Sequence, residues 1–101
     1  MSTVPFWFIR QRSTGHMLPQ SYSCGITHLK PEDPAKTRPR AFLHEEDAVS
    51  ALGMWLLGKV YQRPGASASG SMLDEIIDIS FQPDRAAMKS DMEVICREVV
   101  L

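Results

Sequence analysis

The sequence predicts an α+β fold: a small antiparallel sheet of about four strands packed on one main helix, in the order ββαββ. Three observations carry that expectation. Residues 45–57 place apolar side chains at helical spacing, with acids at one end and a glycine just beyond the other. PFWFIRQ (5–11), DEIIDISFQ (74–82) and MEVICREVVL (92–101) are rich in aromatic and β-branched residues. Clusters of Gly, Pro and Ser separate these stretches. With 101 residues, 44% hydrophobic and 23% charged, the chain reads as a single domain of ordinary globular composition.

In chain order, 5–11 is the first strand, and RSTG (12–15) a turn in which Gly15 takes positive φ. HMLPQ (16–20) is a short return strand stopped by Pro19, which has no N–H to donate to a ladder. Residues 20–39, with Gly25, Pro31, Pro34 and Pro39, show neither period and read as a long irregular loop. RAFLH (40–44) is a short strand leading into the helix.

In the helix, Glu45, Glu46 and Asp47 occupy the first turn, where the positive end of the dipole favours carboxylates. Gly58 is expected to cap the other end in the left-handed region, and Lys59 suits the negative pole. Ala48, Val49, Leu52, Trp55 and Leu56 form the expected core stripe, with Trp55 buried against a sheet containing Phe6 or Trp7. PGASASGS (64–71) is a flexible loop by composition and lacks the Gly-Lys-Ser/Thr ending of a phosphate-binding loop. Ile77, Ile79 and Phe81 alternate with Asp78 and Ser80 as in a half-buried strand. PDRAAMKSD (83–91) has room for one helical turn, and 92–101 is the last strand.

No known catalytic signature is present. Cys24 and His28 lie four apart, with His16 and His44 elsewhere, whereas a structural zinc site needs paired ligands at short spacings twice over. Cys24 lacks the flanking residues of a cysteine enzyme, and the dipole accounts for the three helix carboxylates. No cofactor, metal or small-molecule substrate is expected, and an enzyme ranks third among the readings. Cys24 and Cys96 are read as two free thiols. The longest uninterrupted apolar runs, Phe6–Ile9 and Met54–Leu57, are far short of a membrane span, and no secretion signal is read at the N-terminus. A cytoplasmic setting without membrane attachment follows as the expectation.

Two binding readings remain. Residues 1–43 carry six basic and two acidic groups, and residues 44–101 five basic and ten acidic, so the net charge of -1 hides a basic N-terminal half. Arg10, Arg12, Arg38 and Arg40 are the candidates for nucleic-acid contact, beside the aromatics of FWF. The protein-binding reading comes from a count of faces. Phe6 and Phe8 point opposite to Trp7 and Ile9, one helix covers one face only, and Met54 and Leu57 fall off the core stripe. Phe6, Phe8, Met54 and Leu57 are therefore the candidate protein interface, for a partner or for self-association, unless the 20–39 loop folds over the free sheet face.

The succession TGHMLP, THL and PRAFLHEEDAVSALGMWLLGK resembles small accessory proteins encoded by tailed bacteriophages and prophages. Thr14, Gly15, Pro39, Arg40, Phe42, Ala48, Ala51, Leu52, Trp55, Gly58 and Lys59 carry the resemblance, which spans residues 5–60. It is a pattern of hydrophobic and turn residues and implies no catalytic role. It implies binding of a protein partner inside a bacterial host, in its specific form the inhibition of a host defence protein.

Overall fold

The computed structural model describes residues 2–21, 25–62 and 76–100. Its architecture is α+β. Strand β1 (Thr3–Gln11) is followed by helix α1 (Glu45–Leu57), strands β2 (Gly58–Gln62) and β3 (Ile76–Phe81), the short helix α2 (Pro83–Ala87) and strand β4 (Met92–Val100). The four strands form two antiparallel pairs, β1 with β4 and β2 with β3. The expected hairpins are thus rearranged. The strand after the helix pairs with β3, and β4 crosses to the N-terminal strand, matching Thr3 with Val100 and Gln11 with Met92.

The first turn forms as its residues dictate. Gly15 sits at φ 75°, and its N–H donates to the Gln11 carbonyl at 2.8 Å. The Thr14 hydroxyl donates to Gln11 Oε1 at 2.8 Å and accepts the His16 N–H at 3.1 Å. Beyond it, 16–20 does not form a continuous strand. Met17 bridges both Arg10 and Glu32, and Pro19 bridges Pro39. Pro19 and Pro39 form a non-hydrogen-bonded pair between the Gln20–Arg38 and Arg40–Leu18 backbone bonds, so their missing N–H groups cost no bond between them. Phe42, in the expected 40–44 strand, exchanges both backbone hydrogen bonds with Trp7, at 2.8 and 2.9 Å.

The long loop is therefore structural, but it does not act as one flap over the free sheet face. Residues 32 and 38–40 lie edge-on beside 17–20, joined by Met17–Glu32, Gln20–Arg38 and Arg40–Leu18 backbone bonds. Its Ile26–His28 turn instead braces the helix side, where Ile26 packs on the core and Leu29 O accepts the Trp55 indole N–H at 2.8 Å.

Trp55 is 2% exposed and packs with Ile9, Leu18 and Met92, with Ala51, Leu52, Leu56 and Phe42 around them. The helix thus covers the Trp7/Ile9 face of β1, as Ile9 rather than Phe6 meets the tryptophan. Val49, expected on the core stripe, is exposed. The buried side of α1 is centred on Ala48 and Trp55, two turns apart, and Val49 lies off its edge. His44 at the N-cap makes no side-chain cap bond, leaving the three acids to complement the helix start.

Candidate functional site

A shallow apolar groove of about 350 Å³ lies where the end of α1 meets the end of β3 and α2. Gly53, Leu56 and Leu57 form one wall, Phe81 the second, and Ala86 and Lys89 the third. Local sequence explains why they meet. Gly58 ends α1 and begins β2, and its register partner on β3 is Phe81. The residue before Gly58 is Leu57, so the two large, exposed apolar side chains of the groove are brought together by one pairing. Leu57 is 47% and Phe81 62% exposed. Gly53 adds no side chain to the floor, and nothing lies within 4 Å of where its Cβ would stand.

The third wall is fixed by Arg85, a charged side chain only 8% exposed. Its guanidinium stacks over the Trp55 ring, 4.6 Å from the centroid. It donates to the carbonyl of Thr27, and at 3.4 Å to those of Trp55 and Leu29. Trp55 O lies in the last turn of α1, at the negative end of the dipole, so main-chain carbonyls rather than a carboxylate balance the cation. Burial pulls the Arg85 pKa below its ordinary value. One side chain thus ties α2, α1 and the 26–29 turn together. Replacing Arg85 with Met should cost about 2–4 kcal/mol, because three carbonyls lose a charged donor. Arg85→Lys should recover only part of this, having no planar fork to reach several carbonyls. Urea titrations of both variants check the order.

The sequence candidates fall in different places. Leu57 lines the groove, whereas Met54 is half-buried and does not line it. Phe8 is 8% exposed and so belongs to the interior, while Phe6 on the same face is half-buried. Arg10 lies across from Glu93 in the β1–β4 register and forms an ion pair with it, its Nε donating to Oε2 at 2.8 Å. Arg12 lies 3.5 Å from the other oxygen of Glu93. Two of the four arginines therefore share one carboxylate, which reduces the charge they offer to phosphates. Arg38 and Arg40 are exposed, Arg40 lying 5.4 Å from the Phe42 ring centroid. Next to Arg12, whose N–H donates to its backbone carbonyl, Asp91 holds the first turn. Its carboxylate accepts the Ser13 hydroxyl at 2.7 Å and the Ser13 N–H at 3.0 Å, and the hydroxyl bond foremost holds its pKa below the ordinary range.

Cys24 and the 64–71 loop lie outside the described residues, as do the side chains of Ile77 and Asp78. Among the described residues, no three His, Cys, Asp or Glu side chains stand close enough to hold a metal ion. No helix among them is long and apolar enough to cross a membrane. Phe81 and Arg85 were not sequence candidates. In the sequence Phe81 reads as the inner side of an alternating strand, and nothing around Arg85 distinguishes it from a solvated arginine. No protein-family model, curated protein or solved structure matches the chain.

Proposed function

We propose that the chain is a small non-catalytic accessory protein of bacteriophage type that works in the bacterial cytoplasm by binding a protein partner, in its specific form by inhibiting a host defence protein. The observation that carries this reading is the exposure of Leu57 and Phe81 on two sides of one apolar groove. Aromatic and aliphatic side chains left in water around a concavity, with a cation at the rim, match the anatomy of a protein-binding patch. The setting and the partner class are supported by the resemblance described above. The nucleic-acid alternative draws its support from Arg38 and Arg40, since Arg10 and Arg12 already share Glu93.

The test is capture from bacterial lysate, with and without nuclease treatment, by the full chain and by a Leu57→Lys/Phe81→Thr double variant. Both positions are exposed, so the variant should melt within a few degrees of the parent. Each apolar side chain contributes about 1.5–3 kcal/mol when buried at an interface, so capture of the partner should fall at least ~tenfold. Equal capture by parent and variant sinks the groove. Capture that disappears on nuclease treatment favours the nucleic-acid reading instead.

A further inference from the structure

The backbone of β1 reveals which groups β4 leaves unused. On the side away from β4, Trp7 exchanges bonds with Phe42, Ile9 O accepts the Leu18 N–H at 3.0 Å, and Gln11 N–H donates to His16 O at 2.7 Å. Backbone groups alternate in direction along a strand, so Phe6, Phe8 and Arg10 turn theirs toward β4. Their register partners are Arg97, Ile95 and Glu93. It follows that Val94, Cys96 and Glu98 direct their N–H and C=O groups outward, along the other edge of β4. Among the described residues no strand or loop pairs with that edge. A two-stranded ribbon of nine-residue strands, with one edge unpaired among the described residues, invites a further strand.

We infer that this edge takes a second copy of the chain, β4 pairing antiparallel with its symmetry mate about a two-fold axis through Cys96. The occupant is argued from the residues. Met92–Val100 has Cys96 at its midpoint, so this register alone uses the whole strand. It sets Val94 opposite Glu98, Ile95 opposite Arg97 and Glu93 opposite Val99 of the mate, with no like charges facing. The Arg97 stem can lie over the half-buried Ile95. A register centred on Arg97 brings two guanidinium groups face to face. One centred on Ile95 adds Arg97 to the Glu93 carboxylate, which already serves Arg10 and Arg12. The result is one four-stranded sheet, β1–β4–β4–β1, a width at which a sheet becomes independently stable. Cys96 is free and exposed. On the axis, its Cα would lie about 5.5 Å from that of the mate, inside the disulfide range of about 4.4–6.8 Å.

The test uses the full chain in reducing buffer. Analytical ultracentrifugation should return twice the 11.3 kDa protomer mass. Cys96→Lys sets two ammonium groups across the axis and leaves the β1 side of the strand untouched, so its dimer should weaken about a hundredfold. The second measurement does not depend on that variant's folding. A Cys24→Ser chain treated with diamide, which takes up the two electrons and two protons of disulfide formation, should become a Cys96–Cys96 dimer within minutes. A chain that remains monomeric at ~100 µM overturns the inference. So does a dimer that survives Cys96→Lys or fails to cross-link, and so does a monomer whose β4 edge binds a foreign extended peptide.

Discussion

Trp55→Ala will cost about 3–5 kcal/mol of folding stability, the ordinary range for removing a large buried ring. Two further losses place it toward the upper end. The indole N–H no longer reaches Leu29 O, and Arg85 loses the ring beneath its guanidinium. A chain of this size has a total stability of about 5–15 kcal/mol, so the variant should be largely unfolded by mild heating. Differential scanning calorimetry of parent and variant provides the check. A melting temperature equal to the parent's would mean that the core does not rest on this ring.

Gly58→Ala is the second large effect, and its origin is backbone geometry rather than burial. Gly58 has φ 127° and ψ −156°, a region essentially closed to residues with a side chain. A Cβ added there would also stand 2.2 Å from the Ser80 carbonyl oxygen. That oxygen is backbone in the paired strand and cannot swing aside as a flexible side chain would. Strain and overlap together should cost about 3 kcal/mol or more. Because Gly58 aligns Leu57 with Phe81, the variant should also lose partner capture before it loses its fold. Capture measured well below the melting transition separates the two effects. Stability within about 0.5 kcal/mol of the parent, the size of an ordinary surface change, would contradict the strain argument.

These two positions also show how far the sequence is informative. The bounds of α1 and the burial of Trp55 are legible because helical spacing, first-turn acids and a terminal glycine are local signals that agree with one another. Gly58 reads correctly as a helix stop but not as a left-handed helical cap, since its ψ is −156°. Its second role, opening β2 at once, depends on Ser80 and Phe81 in a strand many residues later. The pairing of β4 with β1 is equally invisible, since MEVICREVVL has the same alternation whichever strand it meets. Of the interface candidates, Leu57 emerges at the groove because a helix position opposite the core is a local fact. Phe8 does not, because its exposure depends on what covers the second face of β1. Arg85 illustrates the general limit. Its partners are main-chain carbonyls, which leave no trace in the residue types around them.

The register that matches Thr3 with Val100 has a consequence in time as well as in space. A ribosome delivers the two-faced aromatic strand FWFI first and its partner only after some eighty intervening residues, at about 5–20 residues per second. For those seconds β1 has only the 16–18 and 42 segments beside it, and a strand apolar on both faces is the kind that sticks to its neighbours. Closing so long a loop is also slow compared with forming a helix. Synthesis at low temperature, or with a chaperone that shields nascent strands, should therefore raise the soluble yield more than any single stabilising substitution.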